Sequence, residues 1–309
     1  MSHAHSHSGH HSAAAHAHGT PAHDGHAPHG HADESGHSGH DHRADDIGEI
    51  LDLDAELLAE HTAALIDWLP LTAAPREIVD LGCGTGAGAF ALLDRFPEAR
   101  VTAVDSSAAH LAQLRSTACV RGIDHRVRTL QADLDAAAWP DLGAPDLVWA
   151  SASMHHMADP ARALRAVHDS LAPGGLFAVV ELAGFPRFLP PDAPAQAPGL
   201  EERLHAATEG FHAEHVPHRG ADWGTMLAAA GFTVEGERTL SVRIGHSPTV
   251  GCYALAGLAR MRGTLAPELA PADLAALDRL LDPSAPDGIL HRDDLTVRTE
   301  RTVWAARRV

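Results

Sequence analysis

The sequence predicts a doubly wound α/β fold, and three observations lead to it. Apolar, strand-like segments alternate with helical segments from residue 77 to residue 182. The first strand runs into a glycine-rich turn and then a helix, as at the opening of a nucleotide-binding βαβ unit. The second and third strands each end in an aspartate. Because parallel strands joined by helices share one carboxyl edge, we expect a ligand site at that edge.

The glycine-rich turn begins at Asp80 and carries glycines at every second position, Gly82, Gly84 and Gly86. Glycine lets the backbone approach a ligand where any Cβ would collide. A dinucleotide fold expects G-x-G-x-x-G, with the pyrophosphate at the helix N-terminus. Here the spacing differs, and an acid at position 80 would repel a pyrophosphate. The same acid suits a ligand that presents an ammonium or sulfonium group.

The next two strands place carboxylates at their tips. Residues 100–105 form the second strand, and Asp105 at its end could accept hydrogen bonds from both ribose hydroxyls of a nucleoside. Ser107 is a plausible N-cap for a helix over 108–118. Residues 127–133 form the third strand, which ends at Asp133. An aspartate in an ordinary loop is the alternative for Asp133, but two acids at successive strand tips make that alternative less attractive.

The fourth strand leads into a loop with two adjacent histidines, His155 and His156. Ligands of open α/β sheets lie beyond the strand ends where strand order reverses, which places this loop near the reacting group. A neutral histidine there could take a proton from a substrate. Alternatively, one histidine packs structurally and the other only bonds a backbone carbonyl. A tight turn at 172–175 precedes a fifth strand over 176–182.

Taken together, these motifs resemble the class I S-adenosylmethionine-dependent methyltransferases, in particular the broad ubiquinone/menaquinone-type branch. The resemblance covers residues 77 to 182 and includes the glycine motif VDLGCGTG. It implies a Rossmann-like seven-stranded sheet, mostly parallel with an antiparallel last hairpin, plus helical cap insertions. It also implies S-adenosyl-L-methionine as cofactor and in-line methyl transfer to oxygen, nitrogen or carbon of a small molecule.

The resemblance also implies roles for single residues. Asp80 would bind the methionine amino group directly or through water, and Asp105 would bind the ribose. Asp133 would accept from the adenine amine, while the backbone N–H of Leu134 meets a ring nitrogen. Further cofactor contacts are expected from Gly82, Cys83, Gly84, Gly86, Ser106 and Ser151. The catalytic candidates are His155 and His156, and a helix over 47–71 would cover the cofactor.

Composition limits the partners. The chain has 309 residues and a formal charge of −18, which disfavours nucleic acid because phosphates require a basic face. Its three cysteines are an odd and sparse set, which favours a reducing cytoplasm over a disulfide framework. No apolar run is long enough for a bilayer, and we expect no signal peptide and no membrane partner. The oligomeric state stays open.

Residues 1–46 form a histidine-rich segment that we predict to be disordered, since it has no apolar periodicity. Histidines at this density could bind Ni²⁺, Cu²⁺ or Zn²⁺, or form a passive extension. The possible metal ligands begin with His3, His5, His7, His10 and His11. Residues 47–309 would then be the methyltransferase domain, with a cofactor-binding core at 76–182 and lid or substrate insertions at 183–230 and 245–294.

The insertions carry weaker signals. We expect His218, Arg219 and Trp223 in a loop on the substrate side, with a zinc site at His212-x-x-His215-x-x-His218 as a less favoured reading. An arginine cluster at the last strand and just before it, Arg292, Arg298 and Arg301, either holds a carboxylate or phosphate of the substrate or forms a solvated strand face. Two other functions stay open: a metal-handling protein that acts through the tail, and an NAD(P)-dependent oxidoreductase.

Overall fold

The structure is a computed structural model that describes residues 38–216 and 218–309, without the side chains of residues 38–46 and 214. It contains a single seven-stranded sheet with helices on both faces. The strands are β1 (Glu77–Leu81), β2 (Arg100–Asp105), β3 (Val127–Gln131), β4 (Leu147–Ser151), β5 (Leu176–Leu182), β6 (Thr233–Ile244) and β7 (Val297–Arg307). The helices are α1 (Ser38–Leu57), α2 (Ala59–Trp68), α3 (Ala87–Arg95), α4 (Ala108–Val120), α5 (Pro160–Ser170), α6 (Leu200–His215), α7 (Trp223–Ala229), α8 (Pro248–Leu265) and α9 (Pro271–Leu281).

The strand order is β3-β2-β1-β4-β5-β7-β6. The five strands β1 to β5 pair in parallel, and β7 runs antiparallel to both β5 and β6. Strand order reverses between β1 and β4, so a crevice opens beyond the carboxyl ends of these two strands. The predicted fold class, including the antiparallel last hairpin, is confirmed.

Alternate side chains of the central strands enter two cores, as the period of a strand requires. Ile78 packs in one core with Leu92 of α3. Val79, one residue later, packs in the opposite core with Leu164 of α5 and Trp223 of α7. All five side chains are buried. The sheet is therefore covered on both faces, and its carboxyl edge is left for a site.

A third core lies outside the sheet and forms a helical cap. It joins the segment after β5 to α6, α8 and α9, with Phe188, Leu204, Leu258 and Leu277 among its buried members. Leu53 on the inner side of α1 packs against the same cluster. Helix α1 therefore connects the cap to the core of the sheet, and it lies over the crevice.

Two predicted boundaries differ from the structure. Helix α1 begins at Ser38, so the limit set at residue 46 falls inside a helix. Once its packed second half fixes a nucleus, extending a helix through neighbouring polar residues adds one hydrogen bond per residue. The insertion predicted for 183–230 is also too long, because α7 buries Trp223 and Leu227 in a core of the sheet. The tail histidines from His3 to His11 lie outside the described residues.

Within the described part of the chain, no helix combines the length and apolar character needed to cross a membrane.

Candidate active site

The glycine-rich turn joins β1 to α3 and is held against β2. The backbone N–H groups of Gly82 and Cys83 donate to the Val104 carbonyl at 2.8 and 3.0 Å. Gly82 has a φ of 66°, and a Cβ added there would lie 2.4 Å from the Ser153 Cβ. Only glycine fits both the backbone angle and this close approach to the β4 loop. The turn therefore depends on position 82 having no side chain.

Asp80 is buried at the base of the turn, with 2% of its surface exposed. Its Oδ2 atom has no hydrogen-bond partner among the described residues. Burial raises the pKa of Asp80 to about 7; a hydrogen bond from the Ala89 backbone opposes the rise, and the nearby Asp105 carboxylate adds to it. A buried, unsatisfied carboxyl group is costly unless a ligand pairs with it.

Asp105 holds the turn from the tip of β2. Its carboxylate accepts from the Gly84 backbone N–H at 2.9 Å and from the Ser107 backbone N–H at 2.8 Å. Burial raises the pKa of Asp105, but the nearby His110 ring and the hydrogen bonds from Ser107 and Gly84 outweigh burial and leave the pKa below its ordinary value. The carboxylate is therefore ionised at neutral pH. Ser107 also caps α4 as predicted, by accepting from the His110 backbone N–H.

Asp80, Asp105 and Asp133 line a single cavity of about 530 Å³ at the switch point between β1 and β4. The wall of this cavity, which we call the nucleoside cavity, also includes the predicted residues Gly82, Cys83, Gly84, Ser106, Leu134, Ser151 and His156. Gly86 is not part of the wall. It has a φ of 103° and precedes α3, where a Cβ would meet Leu114 and Phe90. Its role is packing beneath the turn.

Helix α1 forms the roof of the nucleoside cavity through Leu51 and Asp54. The sequence predicts a covering helix but not which of its residues line the cavity. It also gives no signal for His110 and Trp149, which line the same cavity together with Arg301. Neither His110 nor Trp149 stands out in the sequence, because its place in the cavity wall depends on how α4 and β4 pack in the fold. Cys83 lines the cavity too, and burial raises the pKa of its thiol, so it stays protonated.

The two adjacent histidines have different surroundings. His155 is buried, and its Nδ1 lies 2.5 Å from Glu181 Oε2, while its backbone N–H donates to Oε1 at 3.2 Å. His156 lines the nucleoside cavity, and its ring centroid is 4.1 Å from that of His155. Burial lowers the pKa of His156 to about 4, with a further lowering from His155, so its imidazole is neutral at pH 7. Glu181 thus fixes the loop, and His156 faces the site.

A second cavity, of about 210 Å³, opens from the first and is here called the cap cavity. The two share Leu51, Asp54, Ala152 and Arg301 in their walls. Its other walls are mostly apolar and come from α1, the segment after β5, α6 and α8. Ala152 has a φ of 52°, a conformation that non-glycine residues adopt at a cost. This strained residue lies on the border between the two cavities.

An ion-pair cluster ties the roof helix to the sheet and the cap. Arg301 Nη2 donates to both Asp54 oxygens, at 2.6 and 2.7 Å, and the Tyr253 hydroxyl donates to Asp54 Oδ1 at 2.6 Å. Arg301 is therefore engaged within the chain. The other two arginines of the predicted cluster are also paired, Arg298 with Glu201 and Arg292 with Asp294. All three form internal ion pairs.

The structure places the remaining residues predicted for the substrate side in different surroundings. Trp223 is fully buried in a core of the sheet and does not reach a cavity, because α7 packs onto the sheet face. Arg219 lies in the wall of an open groove beside the cap cavity. His215 stacks on Phe211 with ring centroids 4.1 Å apart. Among the described residues, no group of three or more histidine, cysteine or acidic side chains is arranged to hold a metal.

The fold is that of a doubly wound α/β protein, and its acid-lined cavity lies at the switch point of the sheet, beneath a roof helix. Residues 79–177 match the model of a methyltransferase domain family. Over this segment the chain is therefore similar to a methyltransferase domain family, which agrees with the resemblance that the sequence motifs indicate.

Individual relatives agree with that assignment. A trans-aconitate 2-methyltransferase of Acidovorax sp. (strain JS42) is 39% identical over 123 residues, 39% of this chain and 45% of the relative. A demethylmenaquinone methyltransferase of Thermus thermophilus is 39% identical over 137 residues, 44% of this chain and 57% of the relative. The chain thus spans about half the length of the curated relatives it matches. The crystal structure of a protein from Bacillus halodurans C-125, described as a proposed methyltransferase, shares the fold. Its TM-score is 0.52 at 20% identity, with coverage of 80% of this chain and 98% of that one.

Proposed function

We propose that this protein transfers a methyl group from S-adenosylmethionine to a small organic molecule bound in the cap cavity. The observation that carries the proposal is the convergence of Asp80, Asp105 and Asp133 on one cavity above a glycine-rich turn. Three carboxyl groups around a cavity of about 530 Å³ suit a ligand with a cationic group and several hydrogen-bond donors. A pyrophosphate-bearing dinucleotide would bring negative charge to the same carboxyl groups, which disfavours the oxidoreductase alternative.

The residues present fit S-adenosylmethionine. The buried, unpaired Oδ2 of Asp80 would accept from the methionine ammonium group, which removes the cost of leaving that carboxyl group unsatisfied. Asp105 is already oriented by two backbone N–H groups, and its remaining lone pairs would accept from ribose hydroxyls. Asp133, oriented by the Asp135 backbone N–H at 2.9 Å, would accept from the adenine amine. Leu134 and Ser151 would complete the cavity wall.

When bound, the cofactor supplies an electrophilic methyl group. The chain itself supplies alignment and exclusion of water. Helix α1 closes the nucleoside cavity from above, and Ala152 at the border turns the β4 loop between the two cavities. An acceptor in the cap cavity would therefore approach the nucleoside cavity from one side only, between mostly apolar walls. Such confinement favours a single line of attack.

His156 is our candidate for a proton-accepting or substrate-positioning group, because it faces the cavity as a neutral imidazole. A pKa of about 4 makes it a weak base at neutral pH, so it suits an acceptor that loses its proton readily. His155 would act on the loop and not on the substrate, since Glu181 engages its ring and its backbone N–H. Removing Glu181 would release both histidines.

The relatives' names suggest the kind of acceptor. Trans-aconitate is a small acid, and demethylmenaquinone is an apolar ring system. The matched family model ends at residue 177, before the cap begins, so the identity of the acceptor depends on cap residues outside the match. We propose an acceptor of this small-molecule class. We also propose a cytoplasmic location and no nucleic-acid partner, from the cysteine content and the charge of −18. Metal binding by the tail histidines stays a separate prediction.

Binding of S-adenosylhomocysteine, measured by calorimetry, tests the proposal. The intact protein should bind it, and Asp105→Ala should weaken binding about 100-fold, because two charge-assisted hydrogen bonds to ribose are lost. Asp141→Ala is the matched control, since Asp141 also accepts a loop N–H, from Gly143, but is exposed and away from the cavity. An Asp105→Ala protein that keeps both its fold and wild-type affinity would exclude the proposed site.

A further inference from the structure

The cap cavity is apolar except for a few charged side chains at its rim. Its walls include Phe185, Phe188, Phe211 and Met261, and the rim carries Arg260 of α8. Arg301 also reaches this cavity, but Asp54 binds it on both oxygens. Arg260 is exposed and makes no ion pair with any described residue. An apolar cavity with an unengaged cation at its rim differs from a surface on which cations are paired with acids.

Arg219 lies in the turn after α6 and faces the same region. Its guanidinium carbon stands 4.2 Å from the centroid of the Phe185 ring, which lines both the cap cavity and the adjoining groove. Its Nη1 is 3.5 Å from His212 Nδ1, and its buried Nε has no hydrogen-bond partner among the described residues. No ion pair joins it to a described carboxylate. Burial lowers the pKa of Arg219, Glu181 opposes this, and Arg260 adds to it.

This arrangement contrasts with the other cap arginines. Arg187, Arg203 and Arg298 each contact a carboxylate of α6 or α9. A half-buried guanidinium without such a partner costs free energy unless a ligand supplies the missing acceptor. The nearby acid, Glu181, already accepts two hydrogen bonds from His155. Glu209 faces the outer groove and forms no ion pair with Arg219 among the described contacts.

The local charge also limits the ligand. Burial lowers the pKa of both His156 and His212 to about 4, with Arg219 and Arg260 adding to the lowering in each case, so both imidazoles are neutral at pH 7. The positive charges of Arg219 and Arg260 are then opposed by one nearby carboxyl group, that of Glu181. The excess of one positive charge matches a monoanion better than a dianion. A planar carboxylate also accepts paired N–H donors from a guanidinium.

We propose that the acceptor molecule is an amphipathic monocarboxylate, whose carboxylate binds Arg219 and Arg260 while its apolar body fills the cap cavity. This inference rests on the proposed methyl transfer only in so far as the bound molecule is taken to be the methyl acceptor. The binding site itself follows from the unpaired guanidinium groups and the apolar walls. The carboxylate would lie on the side of His156 and His212, and the apolar body against α8 and the roof helix α1.

Ligand-observed NMR with hexanoate and its neutral, shape-matched amide, hexanamide, tests this on the full chain saturated with S-adenosylhomocysteine. Hexanoate should bind at least tenfold more tightly than hexanamide, because only the carboxylate pairs with the two guanidinium groups. Arg219→Met and Arg260→Met keep the aliphatic stem but remove the charge. Each should weaken hexanoate binding about tenfold and leave hexanamide binding unchanged.

Arg165→Met, at an exposed arginine of α5, is the matched control and should bind hexanoate as the unmodified protein does. Calorimetry with S-adenosylhomocysteine on every variant confirms an intact nucleoside cavity. Equal affinity for hexanoate and hexanamide, or no binding of either, would overturn the proposal. So would loss of hexanoate binding in Arg165→Met to the same degree. If S-adenosylhomocysteine fails to bind while hexanoate still discriminates, the proposed methyl transfer fails and the anion site stands.

Discussion

The nucleoside cavity and the cap cavity adjoin, but they are built in different ways. In the first, polar groups stand at the ends of parallel strands, and Asp105 holds Gly84 across a sequence separation of 21 residues. In the second, most groups come from helices that precede the first strand or lie between the last three strands. There Arg301 holds Asp54 across a separation of 247 residues. One cavity is therefore set by short motifs, and the other by contacts between distant parts of the chain.

The two cavities also differ in how they satisfy buried charge. The nucleoside cavity keeps Asp80 buried without a described partner, and its turn depends on glycines at positive φ. The cap side pairs most of its charges internally, as in the Asp54–Arg301 ion pair, and fills the rest with apolar side chains. The first is therefore rigid and ready for a ligand of fixed shape, whereas the second can vary without disturbing the sheet. This difference suits a conserved cofactor and a variable acceptor.

The largest expected effect tests whether the turn is as rigid as this comparison requires. Gly82→Ala should destabilise the protein by about 3 kcal/mol, since the alanine meets both a positive φ and a Cβ contact of 2.4 Å to Ser153. Chemical denaturation with paired measurements of S-adenosylhomocysteine affinity checks it. The affinity should fall as well, because the turn must shift away from β4.

Gly143→Ala separates the two causes. Gly143 has a φ of 71°, close to that of Gly82, but no atom lies within 4 Å of its added Cβ. Its substitution should cost about 1 kcal/mol, from backbone strain alone. Equal losses in the two variants would show that the contact with Ser153 does not matter and that the turn is more adaptable than we conclude.

The same contrast explains what the sequence could and could not predict. The first five strands, the glycine turn and the positions of Asp80, Asp105 and Asp133 near strand ends follow from local patterns, since neighbouring residues determine where a strand runs and ends. The sequence predicts the cap less accurately. Trp223 was expected at the substrate but fills a core of the sheet, because the apolar face of a short helix does not say which surface it will cover.

The arginines of the last strand show the same limit. The sequence left Arg298 and Arg301 open between substrate anions and a solvated face. The structure pairs them with Glu201 and Asp54, which lie far away in the chain. Ion pairs between distant segments leave no periodic signal, so neither partner could be named in advance. Arg219 was named as a possible contact, and its lack of a described carboxylate partner became visible only in the folded chain.

The next prediction tests whether the roof helix couples the two cavities. Asp54→Asn should destabilise the protein by about 2 kcal/mol, because Arg301 would lose its countercharge while most of its side chain stays buried. Affinity for S-adenosylhomocysteine should fall a few-fold, and amide exchange in α1 should accelerate. Asp52→Asn is the control, since Asp52 lies on the same helix but accepts only from Gln113 at an exposed position. Faster exchange in both variants would assign the effect to helix charge and not to the ion pair.

The last comparison concerns the pH dependence of the nucleoside cavity. In the free protein the pKa of Asp80 is about 7, mainly because of burial. A cationic ligand group favours the ionised carboxylate, so binding below pH 7 must release a proton. Affinity for S-adenosylhomocysteine should therefore rise by up to tenfold per pH unit between pH 5.5 and 7 and level off above. In Asp80→Asn the profile should be flat and the affinity lower throughout.

The stability of the free protein should change with pH in the opposite direction. Because the folded pKa of Asp80 lies above its ordinary value of 3.8, the folded state binds this proton more tightly than the unfolded state does. The contribution to stability is complete below the ordinary value and is lost as pH rises towards and through about 7. Asp80→Asn should remove this part of the pH dependence, measured by denaturation between pH 5 and 8. If stability and affinity instead both rose with pH, Asp80 would already be ionised in the free protein. The rise in affinity would then come from another group, and Asp80 would not be the group that receives the cation.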